Sequence, residues 1–391
     1  MGWEVGRAFM KYIIACDSFK GSCSSEQVAE SVEKGILSVL PDAEIVKVAV
    51  ADGGEGTAST LIKALGGKTI KVKTRDPLMR EKVSLYGYVE CSGTAIMEMA
   101  ETSGLPLISP AERNPLKTTT FGTGEMIADA LKRGCRKFIV GIGGSATNDG
   151  GMGMMQALGV TFFDKDDNLL GQGGSELSRV ARIDTSSMMP EAMESSFTII
   201  CDVNNPLFGK NGAAYIFAPQ KGASPDAVVQ LDNGLRNYAE ALKKELGKDV
   251  ADIPGSGAAG GMGAAFLAFL PAVLMPGIKC VLDTLNFDKL LDGADLVITG
   301  EGKIDAQTAM GKVPAGVLEY ASRRSIPVIA LAGCVEDTEA LNDAGFLSVF
   351  SIQSAAVSLE KAMEPHYAME NIKRTTAQIM RTMLGKLKVE S

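Results

Sequence analysis

The chain has 391 residues, 46% of them hydrophobic, and a formal net charge of −8. That length exceeds one ordinary core and predicts two domains, or one large domain with an insertion, with disorder confined to the ends. An acidic chain does not attract polyphosphate backbones, which argues against nucleic acid as a partner but leaves room for a local cationic pocket that takes a small anion.

Residues 1–9 lack the apolar core and cleavage site of a secretory signal and read as an extension, because Met10 followed by KYIIAC is the more natural start. Lys11–Cys16 reads as a buried strand and leads into the loop Asp17-Ser18-Phe19-Lys20-Gly21-Ser22. Ser24 and Gln27 stand at capping-box spacing, and Val28, Val32, Ile36 and Leu40 continue at helical spacing. The grammar repeats with Glu44–Val50 as a strand, 51–56 as a loop and Thr57–Leu65 as a helix ending at Gly66. A third unit has helix Gly124–Arg133, strand Lys137–Ile142, a glycine-rich loop from Gly143 to Gly151 and a methionine-rich helix to Leu158. A fourth has strand Asp295–Thr299, a loop through Gly300 and Asp305, a helix opened by Pro314 and strand Pro327–Leu331.

Strands alternating with helices predict an α/β fold with a Rossmann-like, doubly wound parallel sheet, whose ligands bind beyond the carboxyl ends of the strands. All four glycine-rich loops are expected at that edge. Two stretches break the rhythm. Residues 71–116 alternate apolar and polar and read as antiparallel. Residues 161–284 are turn-rich, with one amphipathic helix at Ala227–Leu246. The expected division is therefore a Rossmann-like domain of 10–70, 117–160 and 285–387, interrupted by a mixed α+β domain of 71–116 and 161–284 that serves as a lid. The uncharged run Gly263–Ile278 is broken by Pro271 and Pro276 and is too short for a bilayer, so it reads as core.

Seven scattered cysteines without a CxxC pair fit free thiols in a reducing, cytoplasmic setting and argue against structural zinc. The one histidine, His366, lies near the C-terminus, which argues against Ser-His-Asp and Cys-His catalysis. Acid–base work then falls to Asp, Glu, Lys or Tyr. No GxxxxGK[ST] occurs, and the GxGxxG at Gly255, Gly257 and Gly260 follows no strand, which removes the main support for a dinucleotide site.

Gly143, Gly144, Ser145, Thr147 and Asn148 precede a helix start and offer the donors of an anion nest for phosphate, though a tight turn capped by Asp149 would read the same way. Asp52 in DGGEGT is either a metal ligand or an Asx-turn residue. TGEGKIDAQTAMGKVP, residues 299–314, sets Glu301 and Asp305 beside Lys303 and Lys312, the acid-plus-cation mixture that magnesium-assisted phosphoryl transfer needs, against the alternative of a solvated ion pair. Arg75 could fork onto a carboxylate, and Asp202, Asn204 and Asn205 form a further polar cluster after an apolar run.

Together, DSFKGS (17–22), ADGGEGT (51–57), GIGGSATNDGG (141–151), CDVNNPL (201–207) and TGEGKIDAQTAMGKVP (299–314) resemble the bacterial glycerate kinase family of type I, in consistent order over residues 10–385. The resemblance implies an ATP- and Mg2+-dependent kinase acting on D-glycerate, with 2-phosphoglycerate favoured over 3-phosphoglycerate. It also implies a Rossmann-like domain with an inserted domain. On chemical grounds Asp149 or Asp17 is then the expected base, with Lys20 beside it. Asp52, Glu301 and Asp305 are the expected metal ligands, and the Gly143–Asn148 amides the phosphate cradle. Ser18, Arg75 and Lys303 are expected on the substrate. No membrane association is expected, and a homodimer is allowed. The rival readings are a hydroxyacid dehydrogenase and a non-enzymatic metabolite sensor.

Overall fold

The computed structural model describes residues 10–51, 56–305, 308, 312–336 and 338–389. Among them the strands, in chain order, are β1 Lys11–Cys16, β2 Glu44–Lys47, β3 Lys68–Arg75, β4 Glu81–Val89, β5 Thr94–Glu98, β6 Lys137–Gly141 and β7 Thr161–Phe163. The remainder are β8 Arg182–Asp184, β9 Ser196–Ile200, β10 Ala272–Met275, β11 Leu296–Ile304, β12 Val328–Val335 and β13 Ser348–Ser351. The chain forms two compact units, Met1–Asp52 with Ile278–Ser391, and Gly53–Gly277.

The first unit is built on a wholly parallel five-stranded sheet in the order β13-β12-β11-β1-β2. Its central strands are near-continuous apolar runs because both faces are covered. Tyr12 through Cys16 and Leu296 through Ile298 are each 1% exposed or less. Helix Ser25–Leu37 starts at Ser24 with both arms of the expected capping box: Ser24 Oγ accepts from Gln27 N at 3.2 Å and Gln27 Oε1 from Ser24 N at 2.9 Å. It packs on the C-terminal helix Pro365–Val389, where Gly35 permits a close approach: a Cβ there would stand 2.7 Å from Lys373 O. Strand β2 lies on one side of β1, and β11, β12 and β13 lie on the other. The winding direction reverses between β1 and β11, and such a switch point opens a crevice at the carboxyl edge.

The second unit carries a six-stranded sheet in the order β10-β9-β6-β5-β4-β3. It is parallel from β10 to β5 and antiparallel across β5, β4 and β3, as the alternation in 71–116 predicts. Phe138 and Phe197 stack in its core with ring centroids 4.5 Å apart. The amphipathic helix spans Pro225–Leu246, capped by Ser224. The first half of the uncharged run is core, with Gly263 through Phe266 and Ala268 through Leu270 buried, whereas Pro271, Val273 and Pro276 around the edge strand β10 are exposed. Among the described residues no helix is long and apolar enough to cross a membrane.

Two expectations change. The glycine-rich segments belong to two sheets: the loop after β1 and the stretch 300–302, which is strand within β11 rather than loop, to the first unit, and the loop after β6 to the second. The division also runs elsewhere than expected. Residues 56–70 and 117–160 fall in Gly53–Gly277 with the stretches expected to form the insertion. The physical reason is pairing. β6 hydrogen-bonds to β5 and β9, and helix Phe121–Lys132 packs on β3 and on helix Met152–Ala157.

Candidate functional site

In the first unit, a cavity of about 490 Å³ opens at the carboxyl ends of β1, β11 and β12. Its lining includes Asp17, Ser18, Lys20, Glu301, Lys303 and Lys312. Five expected site residues thus meet at the switch edge, because β1 and β11 are hydrogen-bonded neighbours whose last paired residues are Cys16 and Gly300. Asp17 N donates to Gly300 O at 2.8 Å, and Ser18 N donates to Asp17 Oδ1 at 2.7 Å. Gly300 is required where β11 meets β12, since a Cβ there would lie 2.3 Å from Leu331 O.

Glu301 is 8% exposed, and burial pushes its carboxyl upward against the pull of the Thr308 hydroxyl and the Lys312 ammonium. Thr308 Oγ1 donates to Glu301 Oε1 at 2.6 Å. Lys312 Nζ stands 3.6 Å from Glu301 and 3.7 Å from Asp305, so both carboxylates already face one cationic point. Lys303 pairs with Glu336 at 2.7 Å and lies 4.0 Å from Asp305. Two carboxylates on a shared cation fit Mg2+, which usually takes one or two protein carboxylates and completes its shell with waters and substrate phosphates. No group of three or more His, Cys, Asp or Glu arranged for a metal occurs among the described residues. Asp52 lies outside the described residues.

In the second unit, the loop after β6 has an exposed end and a buried one. Gly143 and Gly144 are exposed, Gly144 in the left-handed region at φ +71°, and their amides have no partner among the described residues. Ala146 through Asp149 are fully buried. Asp149 Oδ2 accepts from Thr120 N at 2.8 Å, Thr120 Oγ1 at 2.9 Å and Gly153 N at 3.2 Å, and its Oδ1 accepts from Gly151 N at 3.2 Å. Burial raises its pKa, and these hydrogen bonds oppose the rise. Thr147 Oγ1, both amide atoms of Asn148 and the Tyr238 hydroxyl are buried without a partner among the described residues.

Lys221 was not signalled by the sequence. It is 1% exposed, and its Nζ donates to Ser145 Oγ and Thr147 O, both at 2.7 Å. Burial pushes its pKa down to about 7, with Asp149 opposing the fall. It lies in PQKG, a turn-like tetrapeptide that no motif marks. Thr308 was likewise missed. A short hydroxyl side chain carries no spacing signal.

The other candidates in this unit are engaged within it. Arg75 Nη1 pairs with Glu125 Oε1, the Arg75 backbone N donates to Glu125 Oε2 at 2.7 Å, and the guanidinium lies 5.7 Å from the Phe121 ring centroid. Asp202 is exposed and accepts from Gly277 N at 2.8 Å. The GxGxxG glycines serve packing: a Cβ on Gly257 would lie 2.1 Å from Pro206 O, and one on Gly260 2.1 Å from Thr147 O.

The family model for the glycerate kinase family matches residues 12–384. A glycerate kinase of Haemophilus influenzae is 48% identical over 88% of this chain and 91% of its own. A glycerate 2-kinase of Escherichia coli K12 is 46% identical over 96% of this chain and 98% of its own. The crystal structure of a protein described as glycerate kinase 2 from Salmonella typhimurium LT2 superposes with a TM-score of 0.86 at 44% identity, covering 97% of this chain and 99% of that one.

Proposed function

The chain belongs to the glycerate kinase family, and from that premise we propose that it transfers the γ-phosphoryl group of ATP to D-glycerate, giving 2-phosphoglycerate and ADP in a cytoplasmic setting. What supports the chemistry most directly is the meeting of Asp17, Ser18, Lys20, Glu301 and Lys303 on one cavity at the switch edge of the first unit.

The bond from a glycerate hydroxyl oxygen to phosphorus forms as the bond from phosphorus to the β-phosphate bridging oxygen breaks. The hydroxyl proton passes to a carboxylate. Such transfers need positioning and charge compensation more than covalent catalysis. Asp17 suits the proton acceptor, being near the cavity surface, whereas the oxygens of Asp149 are taken up by five donors in a fully buried setting. Glu301 and Asp305 would hold Mg2+, which would offset phosphate charge. Lys20, Lys303 and Lys312 stabilise the negative charge of the transferring group. Ser18 suits a hydrogen bond to substrate. Within the second unit taken by itself, the exposed Gly143 and Gly144 amides suit an anionic oxygen, and Lys221, which donates to Ser145, adds positive potential to that loop.

The reading is tested by ADP release from ATP with D-glycerate, L-glycerate and glycerol as acceptors. Release that is strongest with D-glycerate and depends on added Mg2+ supports it. The absence of release with any hydroxyacid would overturn it.

A further inference from the structure

A cavity of about 490 Å³ is far larger than a three-carbon hydroxyacid fills and is in the range of sites that enclose whole drug-sized ligands. Its lining divides into two chemistries. Lys20, Lys303 and Lys312 supply cationic heads. Ile352, with Leu359, Ala362 and Met363 of helix Leu359–Met363, supplies an apolar wall. Gln353 also lines the space, and its Oε1 is buried with no partner among the described residues. A buried amide acceptor left open is unfavourable until a donor meets it.

The lining also draws on the ends of four adjacent strands, from Ile352 beyond β13, through Cys334 of β12 and Lys303 of β11, to Asp17 beyond β1. Three inter-strand gaps of about 4.8 Å give a strip on the order of 14 Å long. That is the reach of an extended nucleoside triphosphate. A glycerate would cover the cations and leave the apolar wall and the open amide facing empty space.

We propose that this cavity is the nucleotide site, with the purine against the apolar wall, the Gln353 amide meeting the edge of the base, and the phosphates among the three lysines. The inference rests on the kinase reading for the role of the triphosphate, but the binding event needs no acceptor. It assigns recognition of the base to the segment 352–363, which carries none of the sequence motifs.

The test uses the full-length protein and two measurements. First, calorimetric titration with Mg-ADP in the absence of glycerate is run on the wild type and on Ala362→Trp, whose indole would fill the apolar end. The expected result is a loss of ADP affinity of about tenfold or more, and in the assay a matching rise in KM for ATP with KM for glycerate unchanged. A rise in KM for glycerate alone would overturn the proposal. Second, photolabelling of the unmodified chain with an azido-ATP and peptide mapping guards against a variant that fails to fold. Label within 352–368 supports the site, while label confined to 56–277 overturns it, as does a wild type that binds no nucleotide. A chain that binds ADP and labels in 352–368, yet phosphorylates no hydroxyacid, would sink the glycerate reading and uphold the cavity.

Discussion

At the scale of single residues, two aspartates that look alike in the sequence are set apart by burial. Asp17 ends a strand at the cavity, and Asp149 lies inside the second unit with its oxygens occupied. Asp17→Asn should lower kcat by about 10²–10⁴ with little change in Tm, the range for a positioned acid–base group. Asp149→Ala strips acceptors from the Thr120, Gly151 and Gly153 amides. Each orphaned donor costs about 1–3 kcal/mol, so the variant should lose stability severely, visible in thermal unfolding before any assay. A stable Asp149→Ala chain with a reduced kcat would reverse the two assignments.

Lys221 allows a prediction in pH. Its folded pKa of about 7 lies below the usual lysine value of 10.5. Between those values the unfolded chain binds more protons than the folded one, so this group makes stability rise with pH from 7 towards 10.5. Below 7 both states are protonated, and the full penalty of burying the charge is present. Asp149, raised by burial, faces Lys221 and titrates with the opposite slope. Denaturation curves for wild type and Lys221→Met at several pH values isolate the lysine: the difference between them should shift in favour of the wild type as pH rises through that window. A constant difference would show that Lys221 carries no such linkage. The sequence could not signal this residue, because what makes it unusual is the long-range placement of Ser145 and Thr147 around it.

At the scale of elements, local grammar was legible wherever the signal is local. Lys11–Cys16 is the strand expected, and the Ser24–Gln27 box caps the helix expected. Apolar runs and side-chain caps act within a few residues. Boundaries drifted where neighbours decide them: β11 runs on to Ile304, past the expected Thr299, because β12 continues to pair with it as far as Val335. The GxGxxG glycines show the same dependence. Gly260 has φ +71°, and a Cβ there would lie 2.1 Å from Thr147 O. Gly260→Ala should therefore destabilise the chain by more than the roughly 1 kcal/mol of an ordinary glycine exchange, and should weaken activity by displacing the loop after β6. Unchanged unfolding in this variant would remove the glycine from the account of that loop.

At the scale of the whole molecule, the α/β class was legible from alternating strands and helices, but the partition was not. Lys137–Gly141 and residues 296–299 are both apolar runs leading into glycine-rich segments, and nothing local tells which sheet each joins. Hydrogen-bond partners decide it, and these lie far away in sequence: β6 with β5 and β9, β11 with β1 and β12. What did carry over was the expectation that glycine-rich segments stand at the carboxyl ends of parallel strands, which holds for the loop after β1 and for residues 300–302 at the end of β11. The direct test of the resulting account is the identity of the product. With ATP, Mg2+ and D-glycerate supplied to the purified chain, and enolase as the sole coupling enzyme, phosphoenolpyruvate should accumulate at the rate of ADP release, because enolase accepts 2-phosphoglycerate directly. ADP release without phosphoenolpyruvate until a phosphoglycerate mutase is added would contradict it.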